Sequence, residues 1–245
     1  MFKTSFCAIV GILGIWDLYS QSTSAVGIFP TIDHTGKLTD KLEYGIYYFG
    51  ALPLAEISEK RISTNAYTLL IYSEQGLTYR LGSNLTINGS YVYQKERASN
   101  HHYLTENRIH LQATYQKANS KLGLRHRIRF DNRFVKNPMT DKTPYTHRLR
   151  YLIGFQTPIN AAKNNLYITG YQEMFLNTFK NTASIYAENW AYAGIGKNLN
   201  PNHKLEAGLL YITWRNASSG WFNQYYGQLS WILNADFRKS NQAVN

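Results

Sequence analysis

The stretch Leu122–Phe134, LGLRHRIRFDNRF, decides how the chain is read. With a period of two, one face carries Arg125, Arg127, Arg129, Asp131 and Arg133, and the other Leu122, Leu124, His126, Ile128, Phe130, Asn132 and Phe134. A helix would scatter these residues around its circumference, whereas a strand sorts them cleanly. Four arginines in a column repel one another and keep their charge at any ordinary pH. That face must meet water or matching carboxylates, and the other a protein core or lipid. Arginine at a bilayer midplane costs roughly 2–4 kcal/mol on a barrel wall, so lipid can touch only the apolar face.

Working outward, ten segments alternate in the same way: 41–51, 66–80, 84–96, 104–117, 121–135, 145–157, 165–177, 186–199, 204–215 and 222–237. Most reach the ~9–11 residues with which a tilted strand crosses a bilayer. Leu81-Gly82-Ser83, Ala118-Asn119-Ser120 and Asn200-Pro201-Asn202-His203 read as tight turns, with 159–164 somewhat longer. Between them fall longer linkers at 52–65, 97–103, 136–144, 178–185 and 216–221. Short turns on one rim and long loops on the other describe an up-and-down meander of the outer-membrane type. The expectation is an all-β, single antiparallel transmembrane barrel of about ten strands, twelve being the alternative. In it 41–51 pairs with 222–237, and both chain ends lie on the turn side. Ala25–Asp33 contains Pro30 and would break the parity, so residues 22–40 are assigned to an N-terminal lead or plug, with Asp33-His34-Thr35-Gly36 as a turn. The barrel is assigned to 41–237 and a polar tail to 238–245.

Sorting the polar faces gathers Arg108, Arg125, Arg127, Arg129, Arg133, Arg148 and Arg150 with Glu43, Glu74, Glu96, Glu106, Asp131, Glu173, Glu188 and Glu206. Near balance of sign suits a narrow closed barrel, where unpaired charge is costly and guanidinium forks must meet carboxylates. These residues form the expected lumen charge network. Arg127 is placed at mid-height, within reach of Glu106 or Glu173. Small barrels fill their interior with side chains.

Composition agrees. Of 245 residues, Tyr (20), Phe (11) and Trp (5) are abundant, which suits strands and membrane interfaces. The mean hydropathy of −0.39 is what alternating walls produce. The net charge of +11 is spread along strands and loops without a basic run or nucleic-acid motif, so no nucleic-acid partner is expected. Residues 1–21 have the charged, apolar and polar parts of a secretory signal peptide. Their apolar run is too short for a spanning helix. Cys7 is the single cysteine and falls within that segment, leaving neither a disulfide framework nor a thiol nucleophile.

No P-loop, Gly-x-Ser-x-Gly or His-Glu-x-x-His is present, and no cofactor is implied. His101-His102 lacks an acidic or cysteine partner at metal-ligand spacing, which favours a solvated loop pair. His126 and Asn132 fall on the apolar face. They suit a headgroup-level rim, or a wall-mounted lipid hydrolase for which Ser73 and Ser90 are the nearest strand serines.

The last strand, GQLSWILNADF (227–237), resembles the C-terminal insertion signal of outer-membrane barrels, although residues 238–245 follow it. The stretches FPTIDHTGKL, LIYSEQGLTYRL, ENRIHLQ, RIRFDNRF, THRLRYLIG, YQEMF, YAENWAYAGIG and KLEAGLLYITW together resemble a bacterial family of secreted proteins known only as a domain of unknown function. Its members look like outer-membrane β-barrels of Gram-negative bacteria. The resemblance covers nearly all of the mature chain and implies architecture and location, but no activity. The implied partners are outer-membrane lipid and the barrel insertion machinery. Three roles follow: a structural or transport-related, porin-like outer-membrane barrel; an outer-membrane barrel enzyme acting on lipid or peptide; or a soluble periplasmic β-sandwich that binds a ligand.

Overall fold

The computed structural model describes residues 23–58, 61–64, 67–99, 102–118, 122–159, 165–178, 185–216 and 220–238. The expected signal peptide and the tail beyond residue 238 lie outside them. All regular structure among the described residues is strand: β1 (Thr23–Lys37), β2 (Leu42–Ser58), β3 (Arg61–Ser63), β4 (Leu70–Arg80), β5 (Leu85–Ser99), β6 (His102–Ala118), β7 (Gly123–Lys136), β8 (Tyr145–Pro158), β9 (Leu166–Asn177), β10 (Tyr186–Asn200), β11 (His203–Asn216) and β12 (Gly220–Asp236).

From β4 to β12 each strand pairs antiparallel with the next, and β2 pairs with β4. β1 closes the ring, antiparallel to β2 and parallel to β12. The wall is therefore a closed barrel of eleven strands, and β3 extends the end of β2 without joining the wall.

Closure corrects two expectations. Residues 22–40 are not a lead or plug, because Thr23–Lys37 is a wall strand in register with β12 from Thr23↔Phe222 to Lys37↔Asp236. The segments 41–51 and 222–237 accordingly flank β1 rather than pair. Its alternation is as strict as any other strand's: Ala25, Phe29 and Thr31 are buried, and Val26, Ile28 and Ile32 face outward. Parity obscures this, since an eleventh strand does not fit an even meander. A proline, without an amide N–H, is usually confined to sheet edges. Here it is accommodated by a break in the β1–β2 ladder, whose partners skip from Ile28↔Leu52 to Thr31↔Phe49. The expected turn at Asp33–Gly36 is strand. A side chain at Gly36 would meet the Tyr44 ring at 2.2 Å, so glycine lets that ring lie across β1. The chain reverses at residues 38–41 instead, where Thr39 Oγ1 accepts from the backbone N–H groups of Lys41 and Leu42.

Because β1 runs parallel to β12, it begins at the rim bearing the 137–144 loop, while β12 ends at the rim of tight turns. The two ends of the strand order thus lie on opposite rims, where the sequence suggested the same one. The loop-rim linkers are also shorter than expected, since 97–103 is mostly strand and β2 runs on to Ser58. Strands of 14–17 residues, such as β6 and β7, are longer than the ~9–11 residues that crossing a bilayer takes.

The exterior is apolar. Ile71, Leu77, Ile109, Leu111, Ile128, Ile195, Leu209 and Leu229 are each more than half exposed or close to it, on strands all around the ring. The buried set is inside and includes Glu106, Arg108, His110, Arg129, Asp131, Arg148, Arg150 and Glu173.

Candidate functional site

The period of two that sends Ile109, Leu111, Ile128 and Leu149 outward sends their neighbours into the lumen, and register then decides which charges meet. Asp131 stands opposite Arg148 on β8 and His110 on β6, and Arg133 opposite Arg108. Asp131 is fully buried, accepts from Arg148 Nε at 3.1 Å, and lies 3.7 Å from Arg108 and 3.9 Å from Arg150. Glu106 accepts from Arg108 Nε and, through both oxygens, from the fork of Arg133, all at 2.7 Å. Glu173 accepts from Arg150 Nε at 2.9 Å and Nη2 at 2.8 Å, and from Arg127 Nη2 at 2.8 Å. Two-pronged guanidinium–carboxylate contacts are short and directional, which favours this residue pairing where water is scarce.

One pair crosses the lumen. Glu74 on β4 accepts from Arg129 on β7 at 3.1 Å and from the Tyr72 hydroxyl at 2.5 Å, and lies 3.5 Å from His110 Nε2. Gln112 and Gln94 hold the remaining faces of Arg129 and Arg108.

Facing this band is an aromatic wall that the sequence reading did not assemble, because its members come from strands far apart in the chain. Phe49 stacks on Tyr72 at 4.3 Å and on Phe29 at 4.7 Å, and Trp190 meets Phe29 and Phe49 edge-on. Phe175 joins wall to band: it packs against Trp190 at 5.5 Å, and the guanidinium groups of Arg150 and Arg148 lie 4.2 and 4.8 Å from its ring centre. Stacked cation–aromatic contacts of this kind stabilise charge where hydration is poor. Between the walls lies a cavity of about 1070 Å³, lined by residues from both rims.

Of the other sequence-predicted lumen residues, Glu188 reaches the edge of the band and the rest stand apart from it. Glu43 pairs with Arg80 at the turn rim, 2.9 Å away. Glu188 lies 3.6 Å from Arg148 and accepts from Trp190 Nε1. Glu96 accepts from Gln94. Glu206 accepts from the Tyr167 hydroxyl at 2.8 Å. Arg125 lines the cavity and makes no ion pair among the described residues. Asp33 and Lys204, absent from the predicted set, line the same space. The alternation of β1 would have found Asp33 had parity not excluded the strand.

On the outer wall, His126 Nδ1 lies 2.8 Å from the Tyr151 hydroxyl, and Asn132 accepts from Tyr145. Ser73 is on β4 beside Gln75, and Ser90 is buried inside with Asn88, so neither serine meets His126. His101 lies outside the described residues and His102 is exposed. Among the described residues no cluster of three His, Cys, Asp or Glu is placed to hold a metal ion.

An apolar outside and a charged, aromatic inside define an inside-out β-barrel. The family model described as "Protein of unknown function (DUF2490)" matches residues 59–224, and the chain belongs to that family. Among solved structures, the chain is similar to one described as "NanC porin structure in rhombohedral crystal form". The identity is 9% and the TM-score 0.42, over 78% of this chain and 90% of that one. It is also similar to an anion-selective porin from Comamonas acidovorans, at 11% identity and TM-score 0.35, over 80% of this chain and 82% of that one. No curated protein matches the chain.

Proposed function

We propose that this chain is an outer-membrane β-barrel of transport type, whose lumen admits small hydrophilic solutes between an arginine–carboxylate band and an aromatic wall. The observation that carries the reading is the inversion of polarity. Leu209, Leu111 and Leu229 are 74%, 66% and 62% exposed, while Asp131, Arg108 and Glu173 are 0%, 2% and 2% exposed. Soluble proteins rarely display a contiguous apolar girdle, which lipid covers without penalty. In this reading the 137–144 loop faces outward from the cell and the tight turns face the periplasm, as is usual for such barrels. Outer-membrane lipid then contacts the girdle. The outward series Leu229, Trp231, Leu233 and Phe237 would serve the insertion machinery.

The test combines fractionation with planar-bilayer recording. Outer-membrane recovery, faster gel migration before heating than after, and stepwise conductance support the reading. Recovery as a soluble protein without detergent overturns the membrane assignment. Stable insertion without conductance overturns the transport role and leaves a structural one.

A further inference from the structure

The lumen is not uniform along its axis. In the middle and towards the loop rim most buried charges are paired, Glu96 with only Gln94 being the exception: Arg108 and Arg133 with Glu106, Arg148 with Asp131, Arg150 and Arg127 with Glu173, and Arg129 with Glu74. Towards the turn rim, apart from the half-exposed Glu43–Arg80 pair, the pattern ends. Asp33, Arg125 and Lys204 line the cavity there without an ion pair among the described residues, and Glu206 has only the Tyr167 hydroxyl. These groups are held near one another yet apart. Asp33 and Glu206 both lie within the electrostatic field of Arg125, beyond ion-pair distance. Register sets Lys204 and Asp33 on one row, separated by Ile232, with Glu206, Ser230 and Thr31 on the next.

A second observation points to the same chamber. On the row above, Gly194, Gly208, Gln228 and Phe29 stand side by side on β10, β11, β12 and β1. A Cβ at Gly194 would lie 2.3 Å from the Tyr192 hydroxyl, and one at Gly208 2.7 Å from the same ring, so the two glycines make a bed in which Tyr192 lies flat. Tyr192 and Gln228 line this wall, and the Tyr192 hydroxyl and Gln228 Oε1 lie behind its surface, buried without a hydrogen-bond partner in the described structure. Buried polar atoms are nearly always satisfied, so the unsatisfied pair behind this wall and the unpaired charges of both signs that line it leave this end of the lumen polar and uncompensated.

Resting on the barrel reading above, we infer that this turn-side chamber binds a small zwitterion carrying an ammonium and a carboxylate, an amino acid or unblocked short peptide. Asp33 and Glu206 receive the ammonium, and Arg125, with Lys204 at the rim, receives the carboxylate. A singly charged solute satisfies one pole and leaves the other desolvated, so the site discriminates by the second charge.

The test uses barrel refolded in detergent and shown to be folded by its heat-modifiable migration, so that failure of the barrel and failure of the site are separate results. Glycylglycine, its N-acetyl form and its C-terminal amide are titrated calorimetrically against the parent protein, Asp33→Asn and Arg125→Gln. Saturable binding of glycylglycine is expected, weakened tenfold or more by either blocking group. Asp33→Asn should weaken glycylglycine but not its N-acetyl form, and Arg125→Gln should weaken glycylglycine but not its amide. Equal binding of all three solutes, no binding by folded barrel, or variants that bind glycylglycine as the parent does each overturn the inference. The barrel reading survives any of these.

Discussion

Arg129 Nη1 and Glu74 Oε2 lie 3.1 Å apart although β5 and β6 stand between their strands in the wall. A contact between neighbouring strands reports only local register. This one spans a chord of the barrel and fixes how far the wall can flatten. It also ties the arginine band to Tyr72, whose ring stacks on Phe49, so the charged and aromatic halves of the lumen share one fastening.

Loss of Asp131 should be far more damaging than loss of Arg127. Asp131→Ala removes the anion that Arg108, Arg148 and Arg150 surround, stranding buried cations at a cost of roughly 3–5 kcal/mol. Arg127→Ala leaves Glu173 held by both prongs of Arg150, so the loss is that of one hydrogen bond, about 1 kcal/mol. The temperature at which the fast-migrating folded form converts to the slow form should therefore fall steeply for Asp131→Ala and little for Arg127→Ala. The reverse order would contradict the pairing described.

Gly27→Ala and Gly45→Ala should part company. A Cβ at Gly27 would sit 2.2 Å from the backbone oxygen of Leu52, and neither strand can yield without disturbing the β1–β2 ladder, an overpacking cost of roughly 1–3 kcal/mol. At Gly45 there is nothing within 4 Å of the added atom. Refolding yield in detergent should drop for the first and stay level for the second.

Ile128→Lys places a charge on the outer face near the middle of β7, where the parent side chain is 55% exposed. On a lipid-facing wall this costs roughly 2–4 kcal/mol at the midplane. Met139→Lys, in the 137–144 loop, should cost almost nothing. Liposome insertion monitored by protease protection should separate the two, and equal insertion would argue against lipid at Ile128.

Trypsin added to intact cells should cut after Lys142, which lies in a loop projecting from one rim. Lys41, in the reversal at the other rim, should be cut only once the outer membrane is permeabilised. Cleavage at Lys41 in intact cells would invert the proposed orientation.

Much of this architecture was legible because a strand's face is a property of parity. Once Arg125, Arg127 and Arg129 share a side, Ile128 and Phe130 must share the other, and no long-range information is needed. Arg127 is expected to find Glu106 or Glu173, and it pairs with Glu173, which register sets on the same row two strands away, whereas Glu106 stands level with Val135. What parity does not carry is distance across the ring. Glu74 and Arg129 are 55 residues apart, and Phe29 and Trp190 meet only because β1 closes the wall beside β12. β1 itself escapes the sequence because an eleventh strand breaks the even parity of a meander, an objection the parallel β1–β12 contact removes, while the missing amide of Pro30 is absorbed by a local break in pairing. The same objection hid Asp33.

The parallel contact between β1 and β12 has a consequence for biogenesis. The remaining ten wall strands form five hairpins, β2–β4, β5–β6, β7–β8, β9–β10 and β11–β12, whose connecting ends all reach the loop rim. A hairpin carries its own tip with the backbone groups between its two strands already paired, leaving only its outer edges open. β1 has no such companion at that rim, since Thr23 begins it there and β1 joins β2 only at the rim of tight turns. Its leading edge must therefore cross while its hydrogen bonds are still unmade, or be guided along the exposed flank of β2. In the outer-membrane setting proposed above, insertion of β1, rather than of any hairpin, is then the step on which completion of this barrel would turn.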